Sequence, residues 1–219
     1  MNKLLLLSIL LSCQSALAQP YQLPLQNGSI PLPYYQYMIP HSYSGDYIDT
    51  PTDERARADD PQERIQTVFT PYDNGNAEYY VLELIRYAKK SIHMCAYGFT
   101  DSQICDALCQ MKYKGIDVQI VMDKTEANGV HQAPLVAQMQ AQGIPVYIGK
   151  SAVKNQLIHA KFIVVDGKVV EDGSWNYSPS ASQQDNFVNI IYSDERAKMF
   201  EDFFTKIKNH IQEVKNNGN

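Results

Sequence analysis

The pair Asp166-Gly167, set between Phe162-Ile163-Val164-Val165 and Lys168-Val169-Val170, constrains this chain more than any other feature. β-Branched runs on both sides of an Asp-Gly dipeptide predict a tight antiparallel hairpin, because both turn residues tolerate positive φ. A two-residue loop pairs Val165 with Lys168, which sets Lys161 opposite Asp172 and His159 opposite Ser174. Opposed residues share a face, and side chains alternate along each strand. His159, Lys161, Ser174 and Asn176 are therefore expected on one side, near the open end of the hairpin. A turn of three or five residues would break that parity.

Around the hairpin, short β-rich runs alternate with amphipathic ones from Thr67 onward, the signal of an α/β layer structure. Strands are predicted over Thr67–Thr70, Ser91–Tyr97, Asp117–Met122, Val146–Ile148, Ala160–Val165, Lys168–Glu171 and Phe187–Tyr192. Helices are predicted over Glu78–Ala88, Asp101–Tyr113, Gln132–Gln142 and Glu195–Val214, where apolar residues recur at spacings of three and four. Thr100 or Asp101 can cap the second helix, and Gly115 and Gly143 follow helices where a left-handed residue is wanted. No internal repeat is visible, so the domain carries one copy of its site.

The first third of the chain is of another kind. Met1-Asn2-Lys3, the apolar run Leu4 to Leu11 and Ala16-Leu17-Ala18 have the order of a secretory leader, so residues 1–18 are expected to be removed and the mature protein to be periplasmic or secreted. That apolar run is far short of the roughly 20 residues that span a bilayer, so no integral membrane span is expected in the mature chain. Leu10-Leu11-Ser12-Cys13 offers a competing lipoprotein site with Cys13 lipidated. Residues 19–64 interleave prolines and tyrosines without a period and end in the mixed-charge run 53–60. They read as an extended segment, either a partner-binding arm or a spacer. The catalytic domain is expected over 65–219. Cys95, Cys105 and Cys109 permit at most one intrachain bridge, and burial of reduced cysteines is the commoner fate. A net charge of −5 excludes a wholly basic nucleic-acid coat but not a local basic patch.

The predicted cluster has the right parts for a phosphodiester. An imidazole can attack phosphorus, an ammonium balances the non-bridging oxygens, and a hydroxyl and an amide donate hydrogen bonds to them. Such a site needs no metal and no other cofactor. A lone histidine in a strand is usually a satisfied core residue. That reading leaves unexplained a lysine two residues on and a matched Ser and Asn across the hairpin.

His159-x-Lys161, then Asp166 after four residues, and Gly173-Ser174-x-Asn176 after six more, resembles the full signature of the phospholipase D superfamily. The likeness runs over about Thr67 to Val214. It implies a phospholipase D-like fold: a mixed β-sheet flanked by helices on both faces, with one motif copy per chain. It implies that His159 is a nucleophile forming a phosphohistidine, that Lys161, Ser174 and Asn176 hold the phosphate, and that Asp166 completes the motif from a structural place in the turn. Members often carry Glu-Asn on the next strand to orient the histidine. Here Asp185-Asn186 stands there, making Asp185 the candidate orienter.

With one motif rather than two, the chain resembles the small bacterial endonucleases of the superfamily, which pair two subunits to complete one site. Its expected partners are thus a nucleic acid substrate, DNA and/or RNA, and a second copy of itself. Phospholipid head-group hydrolysis and an idle binding module are the alternatives. The chain lacks extra lobes to admit acyl chains, and Lys150, Lys154, Lys161 and Lys168 lie near the motif.

Overall fold

A computed structural model of the protein describes residues 64–72 and 77–217. The leader and, apart from Arg64, the Pro/Tyr-rich segment lie outside the described residues. Seven strands form one sheet: β1 (Arg64–Thr70), β2 (Ser91–Ala96), β3 (Asp117–Asp123), β4 (Val146–Gly149), β5 (Phe162–Val165), β6 (Val169–Gly173) and β7 (Asn186–Tyr192). Their spatial order is β1-β7-β6-β5-β2-β3-β4. The β2-β3-β4 half is parallel and every other pairing is antiparallel. This mixed sheet matches the fold class expected.

Alternation along the strands feeds two apolar layers. Met94, Ile120 and Ile163 pack on one face with α1 (Ala77–Tyr87), α2 (Ser102–Tyr113) and α4 (Ala133–Ala141). Cys95, Val121, Phe162 and Val164 point the other way, against Ala197, Phe204 and Ile211 of α5 (Asp194–Asn217). Asp101 caps α2, its carboxylate accepting from the N–H groups of Gln103 and Ile104 at 2.9 and 3.1 Å. Two elements escaped the periodic pattern, the single-turn α3 (Lys124–Ala127) and a 3-10 turn at Pro179–Gln183; each is too short to show a period. Cys95, Cys105 and Cys109 are reduced and buried.

The hairpin differs from the two-residue loop expected. Asp166 and Gly167 both take positive φ, 57° and 65°, and the Lys168 N–H donates to the Val165 carbonyl at 3.0 Å. The Lys168 carbonyl, however, turns out to accept from Ser193 N–H at 3.2 Å, so the ladder restarts one residue later. Val165 pairs with Val169 and Phe162 with Asp172, across a three-residue loop. The parity derived for His159, Lys161, Ser174 and Asn176 therefore fails, and a different device must bring them together.

Candidate active site

That device is the end of pairing itself. β5 begins only at Phe162, so His159 and Lys161 stand on irregular backbone before it. After β6, Trp175 and Tyr177 are fully buried, with Trp175 Nε1 donating to Ser182 Oγ at 3.2 Å. In extended backbone, burying those two turns Ser174 and Asn176 outward. Gly173 admits this path, since a Cβ there would collide with the Phe187 carbonyl.

Residues leaving β2 join the two segments. The Tyr97 ring lies 4.4 Å from the His159 ring, centroid to centroid, and 5.2 Å from Lys161 Nζ. Next to it, Gly98 packs against Asn176: its N–H donates to Asn176 Oδ1 at 3.4 Å, and a Cβ would sit 3.2 Å from Asn176 Cγ. Gln132, buried inside the domain, fixes this exit by donating to the Tyr97 carbonyl at 3.3 Å and accepting from Phe99 N–H at 2.8 Å. Desolvation first and the nearby Glu126 carboxylate second push the Tyr97 phenol above its ordinary pKa.

His159 is exposed and Lys161 is nearly buried behind it. The ammonium donates to the His159 carbonyl at 2.9 Å and lies 3.5 Å from both ring nitrogens. Burial holds the Lys161 pKa below the usual lysine value. A positive charge kept short of water beside an exposed imidazole can act strongly on the oxygens of an anion.

Position 159 is set from below by Asp123, a residue that sequence reasoning passed over as the end of a strand. Its carboxylate, wholly buried, accepts from Ile158 N–H at 3.0 Å, from Thr125 N–H at 2.7 Å and from Lys150 Nζ at 3.2 Å. Burial alone would raise its pKa, but these donors together hold it below the ordinary carboxylate value. A charged residue closing the buried run Val118 to Met122 was the signal available.

Three predicted residues are engaged with other partners. Asp166 sits at the other end of β5, accepting from the N–H groups of Lys89, Lys90 and Ser91 at 2.6–3.0 Å, so its part is to lock two turns together. Ser174 Oγ donates to Asn186 Oδ1 at 2.9 Å and accepts from Phe187 N–H at 3.1 Å, which ties it to β7. Asp185 is exposed and lies near Tyr72, whose phenol pKa its carboxylate raises. Among the described residues no hydrogen bond joins it to His159. Asp185 immediately precedes β7, while Tyr97 and Lys161 are the side chains that contact the His159 ring.

A family profile described as "Cardiolipin synthase, PLD-like domain" matches residues 81–208. The solved structure of a phospholipase D family member, Nuc from Salmonella typhimurium, superposes with a TM-score of 0.62 at 31% identity, over 68% of this chain and 95% of that one. NucT from Helicobacter pylori shares the fold at 21% identity and a TM-score of 0.62, over 67% and 96%. A curated relative, "Phospholipase D" of Rickettsia prowazekii, is 30% identical over 132 residues, 60% of each chain. The chain thus spans about three fifths of the length of the curated phospholipases it matches. With the His159-Lys161-Asp166 motif seated on this sheet, the chain belongs to the phospholipase D superfamily of phosphodiesterases and carries a single domain of that kind.

Proposed function

We propose that this enzyme is a metal-independent endonuclease that cleaves DNA and/or RNA through a phosphohistidine at His159, working as a homodimer. The observation that carries the reading is an exposed imidazole with a nearly buried ammonium 3.5 Å from its ring nitrogens. A ring nitrogen of neutral His159 forms a bond to phosphorus as the bond to the leaving oxygen breaks. Lys161 and Asn176 hold the non-bridging oxygens. Water then cleaves the phosphorus–nitrogen bond and restores the histidine.

The leaving oxygen needs a proton, and general acid help of this kind is worth roughly 10²- to 10⁴-fold. His93 does not supply it, being bound by Glu201 and Asp117 at 2.6 and 3.4 Å. A two-fold dimer supplies His159 of the partner subunit instead. The fold match to Nuc, which takes in 95% of that chain, supports the nucleic-acid reading. No helix of the described residues is long and apolar enough to cross a membrane.

The test is one panel in EDTA: plasmid DNA, RNA, and vesicles of phosphatidylcholine and of cardiolipin. Cleavage of nucleic acid is expected to survive chelation, and release of head groups with nucleic acid untouched would replace the endonuclease by a lipase. A heterodimer of wild-type and His159→Ala chains is expected to be nearly inactive; half the wild-type rate would remove the dimer from the mechanism.

A further inference from the structure

The nucleophile opens onto a cleft that the motif does not explain. About 260 Å³ in volume, it lies between the segment 150–160 and one stripe of α5, with His159 on its wall. From the helix come Phe203, Lys206 and His210, at spacings of three and four that put them on one face. Lys150 and Leu157 line the opposite side. No carboxylate lines the cleft, in a chain of net charge −5.

The helix is held close. A Cβ at Gly149 would lie 2.5 Å from Ile211 Cγ1, so only glycine at the end of β4 lets this part of α5 come down beside the segment that bears His159. Phe203 is also fixed rather than loose: its ring packs 5.9 Å from the Phe162 ring, yet 45% of the residue stays exposed. A rigid aromatic face, flanked by cations and continuous with a phosphodiester-cleaving histidine, has the features of a base-stacking platform with its backbone contacts.

We propose that this cleft seats one unpaired nucleotide beside the scissile phosphodiester, Phe203 stacking its base while Lys206 and His210 hold the adjoining phosphate. The inference rests on the nucleic-acid reading and adds a preference for single strands. Bases within a duplex are already stacked and offer no free face to Phe203. A diacyl lipid requires a longer apolar channel than this cleft provides, and has no use for a lysine and a histidine on its far wall.

The experiment measures kcat/KM for a single-stranded oligonucleotide, for the same sequence as a duplex, and for bis(4-nitrophenyl) phosphate, which carries neither a nucleobase nor an adjoining phosphate. In Phe203→Ala and Lys206→Ala the ratio of single strand to small diester is expected to fall about tenfold, carried by KM, as the loss of one stacked base or one phosphate contact predicts. Phe203→Tyr should restore it, and Lys206→Ala should lower the salt slope by about one. Lys198→Ala, on another part of α5 and paired with Asp202, serves as the unaffected control. An unchanged ratio, an equal loss on duplex, or a loss that appears on cardiolipin vesicles instead overturns the proposal. Wild-type protein that cuts the small diester but no nucleic acid overturns the endonuclease reading, and this one with it. Nucleic-acid cleavage indifferent to Phe203 and Lys206 overturns this one alone.

Discussion

On the face of the sheet covered by α1, α2 and α4, side chains such as Met94, Leu108 and Ile120 lose all contact with solvent. On the face covered by α5, the strands set His93, Tyr97 and Asp123 among the apolar residues, and one helix, with solvent along its flank, does the covering. The first face is sealed; the second carries the motif residues His159 and Lys161, beside the ends of β2, β3 and β5. Stability and activity are therefore separable by position, and substitutions can show how sharply.

The largest effect belongs to His159→Asn. Turnover should fall by at least about 10³-fold, as the loss of a nucleophile does, while the melting temperature stays put, because an exposed side chain contributes little burial. Detectable unfolding at assay temperature would mean that the two faces are not separable there. On the sealed face Leu108→Ala should do the reverse: about 2–5 kcal/mol of stability lost to an unfilled cavity, with kcat/KM per folded molecule unchanged. Chemical denaturation with a parallel activity assay reads both numbers.

The sealed face has one ionisable pair of its own. Tyr177 donates to Glu171 Oε2 at 2.7 Å, while the second Glu171 oxygen is buried with no partner. Burial pushes the Glu171 pKa up to about 8. Folding thus retains a proton that the unfolded chain gives up above its ordinary value near 4.5, so stability falls as pH rises from about 5 to 8. Glu171→Gln keeps the hydrogen bond and removes the titration. It should flatten the melting curve over that range, gaining on the order of a few kcal/mol at pH 8. A parallel shift at every pH would show that Glu171 is ionised in the fold.

The smallest effect lies on the α5 face. Burial would lower the pKa of His93, but the hydrogen bond and charge of Glu201, then those of Asp117, raise it overall. Its contribution is fully present below about 6.5 and is lost as pH rises through the raised value. His93→Gln should cost about 1 kcal/mol at pH 6 and less at pH 8.5. Equal costs at both pH values would assign His93 to packing on Phe204, against which it stacks at 5.0 Å.

The motif residues and the elements that bear them were legible because their signals are local. Strand alternation and helical periodicity each act within a few residues, and His159, Lys161 and Asn176 lie in one short stretch. The register of the hairpin was not, since it turns on where the Lys168 carbonyl goes, and its acceptor role is met by Ser193 from another part of the chain. Tyr97, Asp123 and Gln132 were missed for the same reason: each meets the site only because β2, β3 and α4 end beside it. For Asp185 the position was legible and the partner was not. Its place before β7 was read correctly, but a neighbouring backbone position does not fix where a side chain points.

The pairing of β1 with β7 has a consequence in time rather than in space. Thr67 donates to Asn189, 122 residues further along the chain, and β7 also forms the outer neighbour of β6. Until the ribosome has released β7, β1 has no partner and β6 is an open edge, so the sheet closes only once β7, the last of its strands, has been made. Contacts of such long sequence separation slow folding, which leaves β1 a long interval without the strand that pairs it, whereas β6 waits only for the short stretch between Gly173 and Asn186.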